Sequence, residues 1–314
     1  MSESRFRFLL RVLRFDDVRD RQIRQETDRL AAIHQIITIM LQKCKNYYTP
    51  SEYLTMDEQL VAFKGCCGFV QYMLNKPVKF GIKIIMVVHV KYPYVYNLEI
   101  YYDMQPEGPY RVSNKVPDII HRILSPLYGS GCNVTMDNWF TSVPTCKELL
   151  TKNITTVGTL KKNKPEIPDQ FKTTQDKAIK ESIFGFQSDC ALVSYVPKPK
   201  KVVLLLSTLH NDNKIDPNSG ESKKPEVITF YNHTKYGVDI FDKMCRQYNV
   251  SRNSRRWPVT LFYNFINLAG INGLIIYQMN NPGTKTIRHH YLQEVGFELA
   301  RPYIEHRISM RNIP

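Results

Sequence analysis

A mixed α/β fold is predicted by three features of the 314-residue sequence: three apolar, β-branched segments in a meander over 52–102, a helix–strand–helix alternation over 115–153, and helical periodicity at both ends. A chain of this length can bury a sizeable core, as one large domain or two smaller ones.

Taken in order, residues 5–15 repeat Phe6, Leu9, Leu10 and Leu13 at helical spacing between arginines. A second helix is predicted over 29–46, with Leu30, Ile33, Ile37, Met40 and Leu41 on one face. The period then changes. "EYLTMDEQLVAF" (52–63), "GIKIIMVVHV" (81–90) and "YVYNLEIYY" (94–102) read as strands, with turns at "NKP" and "KYP". Ser113 is placed to cap a helix over 115–127 whose apolar face is Val116, Ile119, Ile120, Ile123 and Leu127. "CNVTMDNWFTS" (132–142) is a short strand running into an aspartate, and Ser142 with Pro144 starts another helix. From Ile154, "ITTVGTL", "ALVSYV", "KVVLLLST" and "EVITFY" read as short strands between Lys-, Pro- and Asn-rich turns. Helical pattern returns near Thr234 and, after "SRNSRRWP", fills 258–279. Three meandering strands, then helix, strand and helix, describe an RNase H-like mixed sheet flanked by helices. The β-rich segment reads as an insertion domain before the final helices, and the first helices as an N-terminal helical remnant.

Composition narrows the partners. Forty-three Lys and Arg against 29 Asp and Glu leave a charge of +14, which favours a polyanion and puts nucleic acid first. Seven cysteines without a C-x-x-C pair make neither a disulfide framework nor a zinc site. The most apolar run, "LFYNFINLAGINGLIIY" (261–277), is interrupted by Asn264, Asn267 and Asn272 and reads as a buried helix rather than a membrane span.

Four acids stand where a site would stand. Asp57 lies in the first strand and Asp137 ends the fourth, at the carboxyl edge where open α/β sheets place ligands. Asp239 and Asp242 in "GVDIFDKM" lie three apart on the helix after the insertion. Taken alone, that pair reads as a solvated acid pair at a helix start. In an RNase H-like sheet, however, the first and fourth strands are neighbours and a later helix crosses them. Converging carboxylates repel unless a cation lies between them. Mg²⁺ suits hard oxygen ligands and phosphate, and two such ions ~3.5–4 Å apart can activate a water or a 3′-hydroxyl and stabilise the leaving oxygen.

The blocks "TMDEQLVAFKG", "NKPVKFGIKI", "TMDNWFTS", "TVGTLKKNKPEIP", "LVSYVPKPKK", "YNHTKYGVDIFDKM" and "RRWPVTLFYNFINLAGINGLIIY" resemble the piggyBac transposase core, in the same order, from about Arg5 to about Asn280. The resemblance implies a DDE/D transposase that excises DNA at TTAA sites through hairpin ends and inserts it without gap repair. The family's catalytic, metal-binding acids fall on Asp57, Asp137 and Asp239, with the additional acid on Asp242. Two Mg²⁺ ions, with Mn²⁺ as a substitute, are the implied cofactors. Lys161 and Lys164 match basic positions associated with DNA contact. Arg255, Arg256 and Trp257 follow the acidic helix, and the family uses the tryptophan beside flipped hairpin bases. Lys76, Lys79 and Lys83 are candidates for a phosphate track.

The division expected is a partial N-terminal dimerisation and DNA-binding region (1–50), the two parts of the catalytic core (51–160 and 229–280), the β-rich insertion (161–228) and a tail (281–314). That tail lacks the family's cysteine-rich module, so no zinc is expected and the chain reads as truncated at both ends. The implied partners are double-stranded DNA and, through a complete N-terminal region, a second copy; the implied location is the nucleus. The alternative is a domesticated or truncated, inactive DNA-binding descendant.

Overall fold

The computed structural model describes residues 2–74, 78–102, 104–175 and 177–310. Three helices open the chain: α1 (Glu3–Val12), α2 (Arg21–Gln25) and α3 (His34–Asn46). Strands β1 (Tyr53–Ala62), β2 (Val70–Tyr72), β3 (Phe80–His89) and β4 (Val95–Ile100) follow, then α4 (Val116–Leu124), β5 (Asn133–Met136), α5 (Val143–Thr151) and β6 (Thr155–Thr159). Beyond them lie α6 (Asp169–Lys172), β7 (Ser182–Phe186), β8 (Ala191–Lys198), β9 (Lys201–Ser207), α7 (Glu226–Thr234), α8 (Gly237–Gln247), α9 (Trp257–Asn280) and α10 (Arg288–Ser309).

All nine strands form one mixed sheet in the order β2-β3-β1-β5-β6-β9-β8-β7, with β4 paired to β3 beyond the short β2 contact. β1 is antiparallel to β3 and parallel to β5, which is parallel to β6. The run β4-β3-β1-β5-β6 is therefore the RNase H order. The β-rich segment does not build a sheet of its own: β9 pairs antiparallel with β6, and β8 and β7 extend the same sheet. Its Val196, Val202, Leu204 and Leu206 join Met56, Val134 and Ile120 in one buried cluster.

"EVITFY" is the start of helix α7, not a strand. Its β-branched residues bias towards strand, but Pro225 stands at the N-cap and Val227 and Ile228 are buried against Val157, Val193 and Leu205. Tertiary burial overrides a propensity worth only tenths of a kcal/mol per residue. The helix before β5 is capped at Lys115, whose N–H is held by Ser113 Oγ at 3.2 Å, two residues from the expected cap. Ser142 caps α5 as expected, accepting from the Thr145 N–H.

The other face of the sheet carries the terminal helices. Ile82, Ile84, Met86 and Val88 of β3 pack with Val238 and Phe241 of α8 and with Leu261, Phe265, Leu268 and Ile271 of α9. By length and composition α9 could cross a membrane, yet most of it is buried within the fold. Its three asparagines have specific partners. Asn272 accepts from the Val95 N–H at 3.0 Å and donates to the Val95 carbonyl at 2.9 Å, pairing the β4 backbone as a further strand would. Asn267 accepts from the Val250 N–H, and Asn264 donates to Gln59 on β1. In an apolar helix, each unpaired amide would cost about 1–3 kcal/mol.

α8 lies directly on β1 because Gly237 has no side chain: a Cβ there would stand 2.7 Å from Thr55 Oγ1. Thr55 donates to the Thr234 carbonyl, and the Thr135 and Thr234 hydroxyls are 2.7 Å apart, joining the end of α7 to β1 and β5. Gly237→Ala should lift α8 from β1 and lower stability by ~1–3 kcal/mol, the usual cost of overpacking. Chemical denaturation checks this: the midpoint should fall, with an unchanged dependence on denaturant.

Candidate active site

The site arises where β5 stops and β1 does not. The parallel register ends at Met56↔Met136, so Asp57 and Asp137 stand side by side one step beyond it. Asp137 itself ends β5. Its Oδ1 accepts from the Trp139 N–H at 2.8 Å and the Phe140 N–H at 3.3 Å, and its carbonyl accepts from Thr141. The turn that terminates the strand thus also aims the carboxylate. The turn after β5 packs onto β6 because residue 158 is glycine, where a Cβ would lie 2.1 Å from Thr141 Oγ1.

Asp57, Glu58 and Asp137 offer oxygens that all lie within 4.8 Å of one another. Asp239, in the first turn of α8, lines the same cavity of about 190 Å³ with Asp57, Asp137, Thr55, Thr135, Tyr231, Lys235 and Tyr236. Burial, then the charge and hydrogen bonding of Glu58, push the Asp57 carboxyl up to about 8, although the Glu58 N–H donates to it. Burial raises Asp137 as well, and Glu58 adds to it, against the Trp139 and Phe140 N–H bonds and Lys83, which lower it. Lys83 lies 3.6 Å over the Trp139 ring, which holds its charge near this end of the sheet.

Three crowded carboxylates, with the proton affinity of Asp57 and Asp137 raised first by burial, fit a divalent cation, whose charge favours their ionised forms. The donors are all oxygen, with no histidine or cysteine in the group, which favours a hard ion such as Mg²⁺ or Mn²⁺. Glu58 is absent from the sequence-based set. Alternation along a strand sends adjacent side chains to opposite faces, but beyond the end of β5 both Asp57 and Glu58 reach Asp137.

The expected pair on α8 is divided. Asp242 faces a different cleft, of about 820 Å³, lined also by Lys64, Arg246, Arg252 and Arg255. Its carboxylate accepts from Gln59 Nε2 at 2.6 Å and pairs with Arg246 at 3.3 Å. Protein groups thus offset its charge, and it does not enter the group formed by Asp57, Glu58 and Asp137.

The basic and aromatic candidates have separate positions. Lys161 and Lys164 occupy the turn after β6, at the same sheet end as Asp137, given the Met136↔Gly158 register. Arg255 is exposed on the rim of the larger cleft. Arg256 turns inward and donates to the carbonyls of Arg11 and Leu13, clasping the end of α1. Trp257, partly buried, meets the Phe69 ring edge-on with centroids 5.1 Å apart. Lys79 is exposed, and Lys76 lies outside the described residues.

A five-strand RNase H order with carboxylates gathered where β1 outruns β5 defines the RNase H-like class. Within it, the profile of the Transposase IS4 family matches residues 1–274, and the chain belongs to that family. Among solved structures it is similar to the piggyBac transposase in a synaptic complex with hairpin DNA, at 36% identity and a TM-score of 0.92. The match covers 100% of this chain and 66% of that one, so the chain spans just under two-thirds of its relative's length.

Replacing Asp57 by Asn should relieve the crowding and raise the melting temperature of the metal-free protein by a few degrees, as one lost charge repulsion would. The same variant should lose the stabilisation that Mn²⁺ gives the wild type. Thermal denaturation with and without Mn²⁺ measures both changes.

Proposed function

We propose that this chain is the core of a piggyBac-type DNA transposase that cleaves DNA strands, forms hairpin ends and transfers them at TTAA sites. The observation that carries this reading is the convergence of Asp57, Asp137 and Asp239 on one cavity, with Glu58 beside the first two, in a protein of charge +14. Family membership and the likeness to a transposase bound to hairpin DNA support it.

Asp57, Asp137 and Asp239 would hold two Mg²⁺ ions, or Mn²⁺ in their place, with Glu58 beside them. The bound ions would supply Lewis acidity towards a phosphodiester and its attacking hydroxyl. The protein's own part is positional. The Asp137 turn and the β1 backbone fix two carboxylates, and Gly237 with the threonine contacts fixes the third. Lys161 and Lys164 would bring duplex DNA to this end of the sheet through its phosphates, and Arg255 would act along the neighbouring cleft. Asp242 would contribute at the margin, from its place beside Gln59. Trp257, with one ring edge packed on Phe69, would lie beside the flipped bases of a hairpin. Lys79 and, from outside the described residues, Lys76 would extend the phosphate track. A second copy would join through the N-terminal region, and with DNA as its substrate the protein would work in the nucleus.

In a strand-cleavage assay on a TTAA-flanked transposon end with Mg²⁺, Asp57→Asn, Asp137→Asn and Asp239→Asn should each abolish cutting while DNA binding persists. Asp242→Asn should be milder. Cutting by any of the first three variants at near wild-type rate would remove that acid from the site. Binding without cleavage by the wild type would favour the inactive DNA-binding descendant.

Affinity should also fall steeply with salt, because phosphate contacts dominate. Lys161→Ala and Lys164→Ala should each flatten the log–log salt slope by about one unit per lost contact. An unchanged slope in both variants would return these lysines to a solvated turn.

A further inference from the structure

The wall of the acid cavity opposite the sheet carries more than the carboxylate of Asp239. Lys235 and Tyr236, between α7 and α8, line it together with Tyr231. The Lys235 ammonium lies 4.9 Å from the Tyr236 ring centroid and 5.4 Å from that of Tyr231, so two aromatic rings hold it. Asp57, Asp137 and Asp239 stand around this cavity, yet among the described residues no carboxylate lies within ion-pair distance of Lys235. Tyr236 is 46% exposed, and among the described residues it has no ring-to-ring contact. A large aromatic face open at the cavity mouth, beside a cation without an acid partner, has the two chemical features that a nucleotide requires.

We propose that Lys235 and Tyr236 form a subsite for the nucleoside adjoining the reacting phosphate, its base stacked on the Tyr236 ring and a phosphate oxygen against the Lys235 ammonium. This rests on the transposase reading and adds to it a contact on the nucleoside itself. A phosphodiester placed at Asp57, Asp137 and Asp239 carries its next base one sugar away, and Tyr236, at the N-cap of α8, is the exposed ring that lines the same cavity. Stacking tolerates any base, so the subsite grips an unpaired or frayed nucleotide without reading its identity. Lys235 meets a phosphate oxygen at no cost in a broken ion pair.

The subsite is tested by an abasic scan. Duplexes with a single-stranded extension, each lacking one base at successive positions, are bound in Ca²⁺ by the wild type, Tyr236→Ala, Tyr236→Phe and Lys235→Gln. At one position the missing base should cost the wild type and Tyr236→Phe about tenfold in affinity, the scale of one stacked base. Tyr236→Ala should bind the intact strand about tenfold more weakly and show no loss at that position. Lys235→Gln should keep the positional loss and flatten the salt slope by about one unit. A melting curve matching wild type shows that the half-exposed Tyr236 can be replaced without unfolding. If the wild type binds and cleaves DNA but Tyr236→Ala gives the same abasic profile, the subsite alone is overturned. If the wild type neither binds nor cleaves, the transposase reading falls with it.

Discussion

The short length of β5 is the constraint on which the rest of this structure depends. β5 ends at Met136 while β1 runs on to Ala62, so the sheet opens on one side of β1 from Asp57 onward. Had β5 continued, its side chains would have filled that space. Instead Asp137 turns the chain with its own carboxylate, and the group whose Oδ1 accepts the Trp139 and Phe140 N–H groups also stands beside Asp57 and Glu58. Strand termination and site formation are one event. Its electrostatic consequence is a set of acids whose protons are held too tightly for ordinary surface carboxylates, an arrangement that a cation would stabilise and water alone would not.

Everything that flanks this opening is fixed by polar contacts rather than by shape alone. The apolar face of β3 accepts α8 and α9, but apolar packing is non-directional and does not set the rotation of a helix about its axis. Direction comes from Gly237 against Thr55, from the Thr135–Thr234 hydroxyl pair, and from Asn264 and Asn272 reaching β1 and β4. These buried groups would be costly if unpaired, which makes a slipped helix less stable than the observed one. The asparagines that make the apolar run at 261–277 a poor membrane span are the groups that orient it.

The legible parts of the sequence were those set by local chemistry. The meander, the Ser142 cap and the aspartate at the end of a short β-branched strand each follow from a few neighbouring residues, and Asp57, Asp137 and Asp239 do face one cavity. What could not be read locally depended on pairing between distant segments. The β-rich stretch looked separate because nothing near Thr155–Thr159 announces that Lys201–Ser207 will pair with it. "EVITFY" carries strand-like residues into a helix because the sheet beneath needs covering there. Glu58 was hidden by the alternation rule, which assigns it to the face opposite Asp57, although beyond the end of β5 its carboxylate comes within reach of both Asp57 and Asp137. Arg256 was a candidate DNA contact beside Arg255, and only the folded position of α1 shows that it donates to the carbonyls of Arg11 and Leu13.

The divided pair Asp239 and Asp242 shows how a helix and a strand can share a site without sharing every charge. Three residues along α8 advance ~4.5 Å, while two along β1 advance ~6.6 Å and return to the same face. The two elements run together, so each helix acid meets its own strand residue: Asp239 faces the cavity that Asp57 lines, and Asp242 reaches Gln59. Gln59 is a neutral amide whose nitrogen donates to Asp242 and whose oxygen accepts from Asn264. The relay runs from α9 through β1 to α8 and gives Asp242 a partner that needs no metal, with Arg246 closing it on the solvent side. The repulsion expected between acids three positions apart is thus relieved differently at its two ends. A donor from the protein meets one acid, and a cavity suited to cations meets the other. Because the relay grips α8 one turn beyond Asp239, it also holds the helix in the rotation that points Asp239 at the sheet.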